Sequence, residues 1–327
     1  MMPDSPVISV IISSYNHENY IKDTIRSIIR QTYKNLELIV IDDGSKDKTW
    51  ERINDLRAVC EERFLRVIFK KQENKGTCTT MNELISLSAG EYTFGIASDD
   101  VADERAIELF YNFLSENKEY ALVVGENKLI DADGCICYWD KNRNITYDRE
   151  TAEYTSFSSY LERVNSAGIT FDSELFGTYE TLMLGNYIPN GYLVRKAIYE
   201  LIGQYHTEAP LEDYWLMLQL SKYARMKFIR ETTFYYRWHA SNTIKNVSRV
   251  QDMTRRTYQC ECKLLLSEKH KALFQRTIQY LERHYKKMLL SLGFFEIYKT
   301  RSLEYKYMCI KIKNTVFKFK YKKYYIF

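Results

Sequence analysis

No run in this 327-residue sequence approaches the roughly 18 to 20 consecutive apolar residues of a membrane span, which excludes a spanning helix as its organising feature. The opening MMPDSPVISV lacks the basic n-region and small-residue cleavage site of a secretory signal, so a cytoplasmic location is expected. The seven cysteines are an odd number, and the pairs Cys135/Cys137 and Cys260/Cys262 have neither zinc-type spacing nor a histidine close by in sequence. Ordinary reduced thiols are expected. Two N-x-[ST] matches, at Asn144 and Asn246, carry little without a secretory signal. There is no G-x-G-x-x-G after the first apolar run and no G-x-x-x-x-G-K-[ST] anywhere, which excludes a dinucleotide dehydrogenase and a P-loop ATPase. Neither an internal repeat nor a low-complexity linker is found.

Net charge is small too. Lys and Arg total 47 against 43 Asp and Glu, and residues 301–327 hold eight of the basic and one of the acidic side chains. The rest is slightly acidic, which excludes a protein that tracks nucleic-acid phosphates over a broad surface. What is present is a 45% hydrophobic composition, enough to bury the core of one large or two modest domains.

Residues 7–12, 36–41, 65–70, 92–97 and 120–124 are short runs rich in Val, Ile and aromatics, the pattern of strands buried on both faces. Amphipathic stretches separate them. Ile21, Ile25, Ile28 and Ile29 recur at helical spacing after Asn19, Leu56 and Val59 lie in the second stretch, and Met81, Leu84 and Ile85 follow Thr77. This alternation predicts an α/β fold with a doubly wound, mostly parallel sheet, whose ligand crevice lies beyond the carboxyl ends of the strands. From 128 to 190 the alternation gives way to polar, aromatic sequence, read as an inserted lid or acceptor surface. Order returns with a strand at 192–195, a helix at 196–202, a helix from Glu212 carrying Leu216, Leu220 and Ala224, and strands at 226–229 and 234–237. A first domain is expected to close near residue 245, with residues 7–127 and 128–245 as its two halves. Beyond it, Phe274, Ile278, Leu281, Tyr285, Met288 and Leu292 step by four and three, which predicts a long amphipathic helix.

The first strand runs into Ser13-Ser14-Tyr15-Asn16 and the second into Asp42-Asp43-Gly44-Ser45, so both bring polar groups to one sheet edge. There Tyr15 can stack on a base while Asp42 accepts from a ring N–H, an arrangement that suits uracil. Alternatively, Asp42 and Asp43 form a turn and cap the helix near Lys48. The fourth strand leads into Ser98-Asp99-Asp100, adjacent carboxylates suited to a hard divalent ion shared with phosphate oxygens, or to capping a helix before Glu104.

The segments VISVIISSYNHENYIKDTIRSIIRQTYKNLELIVIDDGSKDKT, NKGTCTTMN, ASDD, LEDYWLMLQL and FYYRWHASNT, in that order, resemble the family 2 glycosyltransferases of the GT-A fold over roughly residues 7–245. The resemblance implies nucleotide contacts from Ser13, Tyr15 and Asp42, with Asp42 on uracil, and a ribose or donor-sugar contact from Asp99. It implies Asp100 and His239 as ligands of Mn2+ or Mg2+ and Asp213 as general base. Two positions depart from the family pattern. Ala97 stands where a full D-x-D has its first Asp, and Met81 stands where relatives often carry Arg. The implied activity is inverting transfer of a hexose or N-acetylhexosamine from a UDP-sugar to a glycan or lipid-linked acceptor in bacterial surface-polysaccharide or lipopolysaccharide assembly.

Residue by residue, other readings stay open. Asp213 could cap its helix, His239 could be a structural histidine, and Tyr214 and Trp215 could face a sugar or pack inside. A glycoside hydrolase would pair Asp99 or Asp100 with Asp213, and a non-catalytic nucleotide-sugar scaffold would recruit partners through its C-terminal helix. The closing KIKNTVFKFKYKKYYIF interleaves lysines with aromatics, which predicts peripheral contact with an anionic leaflet. A homodimer through the long C-terminal helix is a further reading.

Overall fold

The computed structural model describes residues 5–265, 272–273, 275–277 and 279–280. The basic aromatic tail, and the six apolar residues that define the expected C-terminal helix, lie outside them. The first half alternates strand and helix: β1 (Ile8–Ser14), α1 (Ile21–Ile29), β2 (Leu36–Asp42), α2 (Thr49–Asn54), α3 (Arg57–Arg63), β3 (Arg66–Lys71), α4 (Thr77–Leu87) and β4 (Tyr92–Gly95). A short β5 (Val101–Ala102), α5 (Ala106–Glu116) and the long β6 (Tyr120–Ile130) follow. One end of the sheet runs β3-β2-β1-β4, with each of these pairings parallel, as the continuous apolar strands predict. Alternation along each strand divides the core. Ile8, Val10 and Ile12 join Ile21, Ile25 and Ile28 of α1 and Phe110 of α5, while Ile11, Ile39 and Ile41 meet Leu84 of α4.

The segment read as a lid or acceptor surface is a second packed half. β7 (Ile136–Trp139), β8 (Ile145–Thr146), α6 (Phe157–Val164) and α7 (Tyr179–Leu182) surround a core that includes Trp139, Tyr160, Phe171 and Tyr187, each at most 2% exposed. Its packing is ring against ring, as in Trp139 on Trp238 at 4.5 Å and Phe157 on Tyr236 at 4.1 Å between centroids. Such contacts leave no period in the sequence, so the burial could not be read there.

β9 (Tyr192–Arg195) then inserts antiparallel between β4 and β6. Gly191 makes the entry: its φ of +70° suits glycine, and a Cβ there would enter the Phe234 ring. α8 (Ile198–Ile202) and α9 (Glu212–Leu220) lead to β10 (Arg225–Arg237), a single strand parallel to β6 where two short ones were expected. Register shifts on both sides of Thr232 interrupt its apolar pattern, and that bulged stretch is what reads as a break. α9 ends at Leu220, so Ala224 lies past it.

After a 3-10 turn at Thr243–Lys245, α10 (Val247–Leu265) lies against α9. Its buried Glu261 accepts from Tyr179 Oη at 2.5 Å and Gln219 Nε2 at 2.6 Å, and pairs with Lys222 Nζ at 2.7 Å. The charge is tolerable at that depth because hydrogen bonds and a counter-ion answer it together. No helix among the described residues is long and apolar enough to cross a membrane.

Candidate active site

The parallel register sets Ser14 beside Asp42 at the carboxyl edge of the sheet, and the loops that follow are tied to each other. Asn16 takes φ +56°, a left-handed conformation asparagine tolerates, and receives the Lys46 N–H on its Oδ1 at 2.8 Å while donating its own N–H to Ser45 Oγ at 2.9 Å. Tyr15 is left 45% exposed, with a ring face open to a flat ligand. His17, two residues after Tyr15, turns back toward the segment that follows the fourth strand. Ser13 is half-buried beside them.

Asp42 is fully buried. Its Oδ1 accepts from the backbone N–H of Ser45 at 3.1 Å and from the Ser45 hydroxyl, while Oδ2 meets no hydrogen-bond donor and lies 3.9 Å from Lys71 Nζ. The nearby Ser14 hydroxyl is also unmatched. A buried carboxylate oxygen without a donor is costly, and a ligand N–H would relieve it. Asp43 has the capping duty, but toward the loop ahead of α4: it accepts from Gln72 Nε2 and from the backbone N–H groups of Lys75 and Gly76 at 2.8–2.9 Å.

Beyond β4 the two adjacent carboxylates diverge. Asp99 Oδ2 lies 3.0 Å from His239 Nε2 and 3.8 Å from His17 Nε2. Each imidazole is held at its other nitrogen by a serine, Ser98 for His17 at 2.7 Å and Ser241 for His239 at 2.9 Å. Nitrogen and carboxylate atoms of His17, Asp99 and His239 lie within 4.8 Å of one another, a donor set that fits one divalent cation. Burial works against the Asp99 charge, but the His239 hydrogen bond and both imidazoles outweigh it and hold the carboxyl below its usual range.

Asp100 points the other way. Its Oδ1 accepts the backbone N–H of Arg237 at 2.8 Å, its Oδ2 faces Asn190 Nδ2 at 3.5 Å, and burial and then the Asp99 charge push its carboxyl well up. Arg237 Nε in turn donates to the Asp99 carbonyl at 2.8 Å. The structure thus brings His239 together with Asp99 and not with Asp100, which joins the end of β10 to the turn after β4.

Asp213, in the first turn of α9, accepts from Asn186 Nδ2 at 3.0 Å and from the Tyr214 N–H at 2.6 Å. Burial raises its pKa, and these two hydrogen bonds to the charged form oppose the rise. Glu212 beside it is pushed up to about 8 by burial and then by the Asp213 charge. Both carboxyls are thus raised, and the two neighbours titrate as a pair. The segment 186–190 spans the crevice, with Asn186 on Asp213 and Asn190 on Asp100. His17, Asn186, Asn190 and Glu212 escaped sequence reading; the one available signal was that His17 is among only five histidines. Tyr214 and Trp215 are core residues at 1% and 6% exposure, so neither faces a sugar. Met81, at the departure from the family pattern, packs against both neighbouring cores.

Residues 9–165 match the profile of Glycosyl transferase family 2. The chain carries a family 2 glycosyltransferase domain. An uncharacterised glycosyltransferase of Haemophilus influenzae is 36% identical to it over 116 residues, 36% of this chain and 35% of that one, so the match spans about a third of that relative. Among solved structures, S. aureus TarS 1–349 in complex with UDP-GlcNAc aligns with a TM-score of 0.57 at 16% identity, over 87% of this chain and 75% of that chain. A mannosyltransferase from Pyrobaculum calidifontis, in complex with GDP-Man and Mn2+, aligns with a TM-score of 0.58 at 12% identity, over 80% and 65%. At these identities the likeness is one of fold, and the chain shares with them the GT-A fold.

Proposed function

We propose that the protein is an inverting glycosyltransferase that moves a hexose or N-acetylhexosamine from a UDP-sugar to a hydroxyl of a glycan or lipid-linked acceptor, in bacterial surface-polysaccharide or lipopolysaccharide assembly. The observation that carries the donor reading is Asp42, whose buried Oδ2 has no donor, while Tyr15 lies exposed just past the end of the adjoining strand. Uracil would supply the missing N–H. The TarS structure, solved with UDP-GlcNAc, supports that choice.

The cation role passes in this reading from Asp100 to Asp99. Mn2+ or Mg2+ would be held by His17, Asp99 and His239, where it would offset the charge of the leaving diphosphate. Asp213 takes the proton of the acceptor hydroxyl as that oxygen attacks the anomeric carbon from the face opposite the nucleotide. Residues 7–127 then form the donor half and 128–245 the acceptor half, with residues 246–327 as an extension whose basic aromatic end contacts the cytoplasmic leaflet.

Calorimetry with UDP, and with GDP, CMP and ADP as controls, each with manganese and with chelator, tests the donor site. Selective, metal-dependent UDP binding is expected, followed by transfer from a panel of UDP-sugars. A preference for GDP, or no nucleotide binding, refutes the reading.

Asn186 enters the mechanism by positioning. Its amide favours the ionised form of Asp213, so Asn186→Ala should raise that pKa and move the acid limb of the kcat/KM profile up by about one pH unit, the equivalent of one hydrogen bond to a charged group. Activity then falls at low pH and recovers at high pH. A uniform loss at every pH would mean that Asn186 only supports the fold.

A further inference from the structure

Cys260 has no histidine near it in sequence, but it has one in space. The ligand-capable atoms of His206, Glu208 and Cys260 lie within 4.8 Å of one another, in a group separate from the catalytic one. We propose that these three residues bind a zinc ion that fastens α10 to the loop ahead of α9.

The donor chemistry is the first argument. Imidazole nitrogen, carboxylate oxygen and thiolate sulfur together suit zinc, and the thiolate disfavours magnesium and manganese, which prefer oxygen. Tetrahedral zinc with these bond lengths places its ligand atoms about 3.3–3.8 Å apart, so closure needs a contraction of about 1 Å. The exposed His206 and Glu208 can make that movement, while the buried Cys260 on α10 is the fixed point. The thiol proton leaves to solvent as the ion binds, and water completes the fourth position.

Local architecture is the second argument. The loop is already turned to put both polar side chains together: Ala209 N–H donates to the His206 carbonyl at 2.8 Å, and Glu208 N–H donates to His206 Nδ1 at 3.2 Å. An ion on Nδ1 would replace only this last, long bond. Around the group, Cys78 Sγ donates to the Ala209 carbonyl at 3.3 Å and Leu211 N–H donates to Thr257 Oγ1 on α10 at 3.1 Å. The His206 ring lies 5.4 Å from Trp215, two residues past Asp213. Zinc here would hold the first turn of α9, with its paired carboxylates, against α10.

Zinc chloride titrated into the metal-stripped full chain, in competition with a chromogenic chelator, tests the site together with thermal melts. In a His239→Ala background, which removes one ligand of the catalytic group, one equivalent should remain bound and raise the Tm. Adding Cys260→Ser or, separately, His206→Ala should weaken that equivalent at least about tenfold, the scale of lost ligand support, and abolish the Tm rise. His206 is exposed, so its variant keeps the test valid should the cysteine variant fold poorly. Affinity unchanged by both substitutions, or no tight equivalent in the His239→Ala chain, overturns the proposal.

Discussion

Asp213→Asn is expected to bind UDP as the wild type does and to lose about 10²- to 10⁴-fold in kcat, the range of general-base catalysis. The substitution keeps shape and removes the proton acceptor. Asp213 lies at the start of α9, whereas Asp42 closes β2 and Asp99 follows β4, so the nucleotide and cation groups are left in place. Glu212 supplies the internal control. With its carboxyl pushed up to about 8, it is largely protonated at neutral pH and cannot take over as base there. Glu212→Gln should accordingly retain most activity near pH 7, because the amide resembles the neutral acid. Single-turnover transfer alongside calorimetry separates the steps. A fall in UDP affinity matching the fall in kcat, or a kcat within about tenfold of wild type, would remove Asp213 from the base role.

Asp99→Ala should abolish the manganese dependence of UDP binding and weaken affinity in manganese by at least about 10- to 100-fold. That range is the cost of losing an outer-sphere support, and Asp99 is proposed as a direct ligand. Its carboxylate faces both imidazoles, at 3.0 Å from His239 and 3.8 Å from His17, so its removal leaves two ring nitrogens with no carboxylate between them. Asp100→Asn is the informative comparison. Because Asp100 is taken up by the Arg237 N–H and faces Asn190, its variant should keep the manganese dependence and lose thermal stability instead. An unchanged affinity difference between manganese and chelator in Asp99→Ala, with that difference lost in Asp100→Asn, would return the cation to Asp100.

The adjacent pair shows where sequence reasoning stops. Asp99-Asp100 at the end of β4 was legible as an acidic edge motif, because parallel strands deliver their following residues to one crevice. Which carboxylate faces the ligand was not. Neighbouring side chains leave the backbone on different sides, and the turn that carries them, with Asp100 N–H on the Ala97 carbonyl at 3.2 Å, sends Asp99 to the histidines and Asp100 toward Arg237. His17 was hidden for a related reason: only the left-handed Asn16 bends the chain back so that His17 meets a residue more than eighty positions later.

By itself, the sequence determined the β1–α1–β2 order, the buried faces of Ile21, Ile25 and Ile28, and the placing of Asp42 and Asp213 at element ends, since each follows from periodicity within one strand or helix. Tertiary structure alone decided the aromatic half built from residues 128–190, the span from Asn186 to Asn190 across the crevice, and the meetings of His239 with Asp99 and of Cys260 with His206. Those contacts join residues whose separation along the chain carries no period. They exist because packing brings loops and helices from distant parts of the chain together.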